Sequence, residues 1–320
     1  MRTIACLMIL FSLPAMVSPP QERAVEAAGP NGPLRGAMVS AAGRSSPIIL
    51  MIPGSGPTDR DGNNRLGVKA APLKLLAEAL VQHGITTVRI DKRGMFASAG
   101  AVPDPNAVTI DDYATDVHAW VASIRQQTGV KCVWLLGHSE GGLVALRAGQ
   151  SGKDICGLIL IATPGRPLGT VLRDQLKANP ANAPILDQAN SVISQIETGK
   201  HVDVSKLNPA LAGLFRPNVQ DFLINAMALD PAQLASSYHG PMFILQGDRD
   251  IQVTVEDAQL LKRANAAATM VLLSDTNHVL KTVTSGDRAA NMATYTDPGL
   301  PLAPQVVPSI VRFVKFAKER

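Results

Sequence analysis

Apolar and polar residues fall into blocks along this chain, and the lengths of the blocks follow a rule. Short apolar runs, Leu34 to Val39, Pro47 to Ile52, Ile85 to Ile90, Cys132 to Leu136, Gly157 to Ile161, Met242 to Gln246 and Thr269 to Leu273, are bounded by turn-forming residues and read as strands. Longer stretches between them repeat at the helical period. Leu73, Leu76, Ala77 and Leu80 do so from Pro72 to Gly84, and Ile110, Tyr113, Val117, Val121 and Ile124 from Thr109 to Gly129, where Thr109 and Asp112 have the spacing of a capping box. Strand and helix alternate, which predicts an α/β fold whose sheet is mostly parallel and covered by helices on both faces. The first two strands, joined by the turn-rich Ser40 to Ser46, suggest an antiparallel start.

The alternation breaks once. Between Thr163 and Gly240 only helical patterns occur, such as Ile185, Ala189, Val192, Ile193 and Ile196, with joints at Pro180, Pro184, Pro209 and Pro217. Residues 163–240 are therefore expected to form a helical cap inserted over the strand ends. An amphipathic helix with Pro308 near its start and Ile310, Val311 and Val314 on its apolar side closes the chain.

The N-terminus carries a different pattern. Met1-Arg2 is followed by an apolar stretch from Thr3 to Val17 and then by polar residues, as in a secretory signal peptide. The leader is assigned to residues 1–18, with cleavage open as far as about residue 28, and residues 19–31 read as a Pro-, Ala- and Gly-rich linker before a domain at 32–320. The stretch is shorter than the roughly 18 apolar residues a membrane span needs, and no other stretch reaches that length, so no stable span is expected. Secretion or a periplasmic location follows as the expectation. The composition is that of an ordinary globular protein: 320 residues, 46% hydrophobic, with a formal charge of +4 spread without a basic run and only 4% aromatics, which leaves nucleic-acid binding without support. Of the three cysteines, Cys6 lies in the leader. Cys132 and Cys156 begin neighbouring strands and are expected as two buried thiols, a disulfide between adjacent strands being sterically reachable but unusual. No histidine or cysteine cluster has metal-ligand spacing, so neither metal nor organic cofactor is expected.

The chemistry centres on Gly137-His138-Ser139-Glu140-Gly141-Gly142, which joins the run Cys132 to Leu136 to the helical pattern Leu143-Val144-Ala145-Leu146. A serine in G-x-S-x-G between strand and helix has a mechanical meaning. The turn is so tight that side chains at 137 and 141 would collide, and it presents the serine outward while aiming the N–H of Glu140, at the positive end of a helix dipole, toward an attacked carbonyl. A second oxyanion donor is expected from the loop after the second strand, Pro53 to Asn64, and Ser55 N–H is the candidate. Asp59, Arg60 and Asp61 in that loop are expected to brace it through Asx turns and ion pairs.

A serine hydroxyl needs a base, and the base an orienting acid. Among six histidines only His278, in Asp275-Thr276-Asn277-His278, follows a late strand at the edge where Ser139 sits. The strand Met242 to Gln246 ends at that edge in Gly247-Asp248-Arg249-Asp250-Ile251-Gln252-Val253. Asp250 is the expected acid, because it lies far enough into the loop to reach toward His278, and Asp248 is left to shape the turn or pair with Arg249 or Arg93.

With Gly54 to Asn63 (G-S-G-P-T-D-R-D-G-N), Gly137 to Gly142 (G-H-S-E-G-G), Gly247 to Val253 and Asn277 to Lys281 in view, the chain resembles the α/β-hydrolase superfamily. Within it, the likeness is to bacterial esterases and serine-aminopeptidase-like hydrolases, over roughly residues 34 to 318, including the tail Tyr295-Thr296-Asp297-Pro298. The resemblance implies the order nucleophile, acid, base found here. The reading is a carboxylesterase for small acyl esters that works through an acyl-serine intermediate. Its alternatives are a serine peptidase or amidase, and a binding module that keeps the fold without the chemistry.

Overall fold

The computed structural model describes residues 21–43 and 46–317. The expected leader, residues 1–18, lies outside the described residues. The sheet strands are β1 (Glu22–Ala27), β2 (Leu34–Val39), β3 (Ile48–Ile52), β4 (Thr86–Ile90), β5 (Val133–His138), β6 (Ile155–Ile161), β7 (Met242–Gly247) and β8 (Thr269–Leu273). They lie side by side in the order β1-β2-β4-β3-β5-β6-β7-β8. Pairing is antiparallel at β1–β2 and β2–β4 and parallel from β4 through β8. The expected antiparallel start is present, but β2 pairs with β1 and β4, and β3 sits one place further in.

Successive strand residues point to opposite faces, so each central strand feeds two cores. Leu50, Ile52, Val88, Ile90 and Leu135 pack on Val117, Trp120 and Val121 of α2 (Ile110–Thr128) and on Val144 and Leu146 of α3 (Glu140–Gly149). Ile49, Met51, Trp134, Leu136, Phe243 and Leu245 pack on Leu73, Leu76 and Leu80 of α1 (Pro72–Gln82) and on Ile310 and Val314 of α11 (Val306–Phe316). Phe313 stacks on Phe243 at 4.9 Å and meets the edge of Trp134 at 5.5 Å. Burial on both faces explains why these strands read as unbroken apolar runs. The capping box of α2 is present: Thr109 Oγ1 accepts from Asp112 N, and Asp112 accepts from Thr109 N at 2.9 Å.

Two expectations need correction. Residues 19–31, read as a linker, contain β1, so the sheet begins at Glu22 and a leader cleaved as late as residue 28 would remove a strand. Only Val25 and Ala27 of β1 are buried. An edge strand with outward Arg23 and Glu26 has too few apolar positions for a period to show. Glu22 also pairs with the fully buried Arg89 of β4, which in turn meets Asp61. The second correction concerns Cys132 and Cys156, which form a disulfide with Cα atoms 5.1 Å apart. The β5–β6 register slips between Val133 and Trp134, which face Ile155 and Gly157. Cys156 is thereby released from the ladder and reaches the cysteine just ahead of β5.

Between β6 and β7 the chain is helical: α4 (Leu168–Lys177), α5 (Leu186–Glu197), α6 (Pro209–Leu214), α7 (Gln220–Met227) and α8 (Pro231–Ser237). Ala189, Val192, Ile193 and Ile196 of α5, with Leu211, Phe215, Leu223 and Met227, give these helices a small core of their own. After β7 come α9 (Val255–Ala264) and, beyond β8, α10 (Arg288–Ala293). Among the described residues, no helix is long and apolar enough to cross a membrane. The loops after β3, β5, β7 and β8, at one edge of the sheet, carry Ser55, Ser139, Asp250 and His278.

Candidate active site

Ser139 occupies a backbone conformation that non-glycine residues avoid, φ 56° and ψ −124°, between the last residue of β5 and the first of α3. Strain of this kind, held in place by its surroundings, is how a nucleophile is presented from a turn. The packing around the turn shows why glycine flanks it. A Cβ on Gly137 would lie 2.2 Å from the Gly141 carbonyl oxygen, one on Gly141 would lie 2.3 Å from that of Ile52, and one on Gly142 would lie 2.0 Å from Thr163 Oγ1. The Ser139 N–H donates to Ile161 O of β6 at 2.9 Å, and Gly142 N–H donates to Ser139 O, so the elbow is bonded on both sides.

His278 stands across a small cavity of about 90 Å³ whose lining includes Gly54, Ser55, His138, Ser139 and Tyr295. Its Nδ1 is 2.8 Å from Asp250 Oδ2, and the two side chains are 7% and 1% exposed. Asp250 is itself fixed. Its Oδ1 accepts the backbone N–H groups of Gln252 (2.8 Å) and Val253 (2.9 Å), and Gln246 Nε2 approaches Oδ2 at 3.3 Å. Asp248, two residues earlier, is half-exposed; its carboxylate lies 3.9 Å from Arg249, and its N–H donates to Leu273 O. Arg93 is occupied elsewhere, with Asp112 and Asp116.

The tight loop that carries His278 is knitted by Asn277. Its amide donates to Asn291 Oδ1 and Thr294 Oγ1, and its Oδ1 accepts from Lys281 N at 3.0 Å. Buried Lys281 ties the loop to Leu300 O, and Leu280 O accepts from Ala303 N. Tyr295 closes the far side of the cavity, its hydroxyl accepting from Gln252 Nε2 at 3.1 Å. The motif at 277–281 and the tail from Tyr295 thus brace one histidine.

His138, beside Ser139 on the elbow, does not follow a late strand and is not a candidate base by sequence; it lines the small cavity with Ser139. It is nevertheless part of the site. Its Nε2–H donates to His278 O at 2.9 Å, and the two rings are 4.8 Å apart. Burial, with the His278 ring beside it, pushes the His138 imidazole down to about 4. It serves as a neutral donor that holds the His278 backbone. Only its place next to the serine hinted at this; the partner comes from a segment 140 positions away.

Ser55 and Glu140, the expected oxyanion donors, line a second, larger cavity of about 260 Å³ together with Ser139. Glu140 opens α3, where the first N–H groups have no intrahelical acceptor. At Gly54 the loop after β3 comes so near the elbow that a Cβ there would sit 3.3 Å from Ser139 Cβ. The loop is braced as expected: Asp59 Oδ1 accepts from Asp61 N and Asn63 N, Arg60 pairs with Asp91, and Asp61 with Arg89. The larger cavity is walled by Leu143 of α3, Leu168, Val171 and Leu172 of α4, and Phe222 and Leu223 of α7. Among the described residues, no group of three or more His, Cys, Asp or Glu is placed to hold a metal ion.

A family model described as serine aminopeptidase, S33, matches residues 64–281, more than half of the chain. The chain belongs to the S33 serine aminopeptidase family. The matched span contains Ser139, Asp250 and His278 of this S33 member and begins after Ser55. A curated relative, esterase EstD of Thermotoga maritima, is 27% identical over 260 residues, which is 79% of this chain and 58% of EstD; the chain therefore spans a little over half the length of that relative. Solved structures share the α/β-hydrolase fold. The Pyrococcus furiosus esterase Pf2001 is 18% identical with a TM-score of 0.59, covering 96% of this chain and 94% of its own. Est1E of Butyrivibrio proteoclasticus is 15% identical with a TM-score of 0.56, covering 91% and 99%.

Proposed function

We propose that this S33 member is a serine hydrolase of the carboxylesterase type, cleaving small acyl esters through an acyl-serine intermediate. The observation that carries the reading is Ser139 on its strained elbow, facing the cavity of a histidine whose Nδ1 is held by Asp250 at 2.8 Å. In this reading His278 Nε2 takes the proton of Ser139 Oγ as the hydroxyl attacks the ester carbonyl. Ser55 N–H and Glu140 N–H stabilise the tetrahedral oxyanion. His278 then protonates the departing alcohol oxygen, and the same base activates a water to release the acid. Asp250 keeps the imidazole in the tautomer with Nδ1 protonated and supports the imidazolium.

The choice of ester over aminoacyl peptide rests on charge. An aminopeptidase has to offset a substrate ammonium, for which an unengaged carboxylate is the usual device. Among the described residues, Glu140 is the one carboxylate lining the two cavities at Ser139, and Lys92 is paired with it at 3.3 Å. The walls are otherwise mostly apolar, as suits an acyl group. Two of the three proteins compared above, EstD and Pf2001, are named esterases, which accords with this reading. We also propose secretion or a periplasmic location, supported by the leader pattern at residues 1–18 and by the Cys132–Cys156 disulfide, a bond that persists in oxidising compartments.

The test compares p-nitrophenyl acetate with an aminoacyl p-nitroanilide on the wild type and on Ser139→Ala. Ester turnover is expected to exceed anilide turnover and to fall by on the order of 10⁶ in kcat when the hydroxyl is removed. Turnover near the wild-type level in folded Ser139→Ala would overturn the mechanism, and faster anilide cleavage would overturn the substrate class.

A further inference from the structure

The triplet Asp91-Lys92-Arg93 at the end of β4 contains a buried amine that the proposed reaction does not use. Lys92 is 4% exposed. Its flanking residues are clamped, Asp91 by Arg60 and Arg93 by Asp112 and Asp116, so its backbone has little freedom. Its Nζ donates to Gly54 O at 2.7 Å, lies 3.3 Å from Glu140 Oε1, and stands 5.1 Å from the centre of the Tyr113 ring. An ammonium has three hydrogens, and here they face a carbonyl, a carboxylate and an aromatic face.

The carbonyl is the informative partner. Gly54 C=O and Ser55 N–H belong to one peptide unit, and all described peptide bonds are trans, so the two groups point in opposite directions from one rigid plane. A hydrogen bond that fixes Gly54 O therefore fixes Ser55 N–H in the opposite direction, and Ser55 lines both cavities shared with Ser139. The next unit is pinned too, since Ser55 O accepts from Thr58 Oγ1 at 2.7 Å. The carboxylate partner belongs to Glu140, whose own N–H is the other oxyanion donor. One side chain from the loop after β4 is thus joined to both segments that supply the donors, the loop after β3 and the start of α3. Lys92 lines neither cavity at Ser139; it lines a neighbouring cavity of about 620 Å³ that shares Glu140 and Phe222 with the larger of them.

We propose that Lys92 is a positioning residue of the oxyanion site, setting the direction of Ser55 N–H through Gly54 O and the spacing to Glu140 N–H through the carboxylate. The inference rests on the proposed acyl-transfer mechanism. It differs from a purely structural role in what it predicts: the transition state is weakened while the ground state is left alone.

Lys92→Met keeps an unbranched side chain and removes every donor. Because it strands the Glu140 carboxylate, Lys92→Met/Glu140→Gln is made beside it, and Lys92→Arg tests rescue by another cationic donor. Each variant is assayed for kcat and KM with p-nitrophenyl acetate, for melting temperature, and for inhibition by an alkyl trifluoromethyl ketone, whose serine adduct carries an oxyanion, against the matching methyl ketone, which resembles bound substrate. Loss of one oxyanion donor costs on the order of 10²–10³ in kcat, so a misaimed donor is expected to cost about 10- to 100-fold. KM should move less than about twofold, and affinity for the trifluoromethyl ketone should fall by the same factor as kcat, with the methyl ketone unaffected. The double variant should keep this defect, and Lys92→Arg should recover part of it. The proposal is overturned if the folded single or double variant stays within about threefold of wild-type kcat, or if both ketones weaken alike. A wild type that binds the trifluoromethyl ketone no better than the methyl ketone would instead defeat the underlying mechanism, so the two failures are told apart.

Discussion

Replacing Asp250 by asparagine changes one oxygen to an NH₂ group, and the surroundings dictate where that group goes. If the amide oxygen stays at the Oδ1 position it keeps two backbone donors, Gln252 N at 2.8 Å and Val253 N at 2.9 Å. The NH₂ then occupies the Oδ2 position, 2.8 Å from His278 Nδ1. The opposite orientation would place the NH₂ against both N–H groups, exchanging two short hydrogen bonds for two donor–donor contacts, whereas the first gives up only the longer 3.3 Å approach of Gln246 Nε2. The first orientation is therefore expected to win. It forces His278 to accept at Nδ1 and carry its proton on Nε2, where it cannot take the proton of Ser139. The loss expected for such a tautomer error is on the order of 10⁴ in kcat, or about 5 kcal/mol in the barrier. Asp248 offers the matched control: its side chain is 43% exposed, 3.9 Å from Arg249 and away from the histidine, so Asp248→Asn should change kcat by about twofold or less. Initial rates with p-nitrophenyl acetate, with circular dichroism and melting curves on each purified variant, decide the matter. If Asp248→Asn is the more damaged of two folded proteins, or Asp250→Asn stays within about tenfold of wild type, the assignment of the orienting acid is wrong.

His138 supplies a pH prediction. An unfolded histidine titrates near 6.5, whereas burial takes the folded His138 down to about 4, so the unfolded chain binds more protons between these values and stability falls as the pH drops through them. Urea unfolding should lose about 2 to 3 kcal/mol from this group between pH 7 and 4.5, a component that His138→Gln should lack; equal pH slopes in the two proteins would refute it. The Cys132–Cys156 bridge spans a separation of 24 residues, for which loop-closure entropy gives up to about 3 kcal/mol, so Cys132→Ser/Cys156→Ser should lower the urea midpoint in oxidising buffer, and an unchanged midpoint would count against the bridge. Gly142→Ala would place a Cβ 2.0 Å from Thr163 Oγ1 and should cost about 1–3 kcal/mol, read as a lowered melting temperature; a wild-type melting curve would contradict the packing argument. The cavity of about 260 Å³ against α4 and α7 should make activity fall once acyl chains pass roughly four to eight carbons, tested on a p-nitrophenyl ester series; a preference for long-chain esters would show that the cavity does not bound the acyl group.

Periodicity and local chemistry determined a great deal of this protein. Central strands buried on both faces have no choice but to be apolar throughout, and helices packed on one side have to repeat every three or four residues, so the α/β alternation is written in the residue order. Glycine at 137 is equally local, because the atom that excludes a side chain there, Gly141 O, lies in the same turn, whereas Gly141 and Gly142 are crowded by Ile52 and Thr163 from other segments. The placement of Ser139, Asp250 and His278 could be read from the ends of three strands, since parallel connectivity brings successive loops to one edge. What remained hidden depends on partners distant in sequence. β1 shows only Val25 and Ala27 to the core, and its identity as a strand comes from pairing with β2. The disulfide needed a register slip between β5 and β6 that no local pattern encodes. His138 and Lys92 gained their partners, the His278 carbonyl and the Gly54 carbonyl, only when loops from different strands met. Hydrogen-bond direction, unlike hydrophobic burial, is set by where two chain segments end up relative to each other, and that is decided by the tertiary fold.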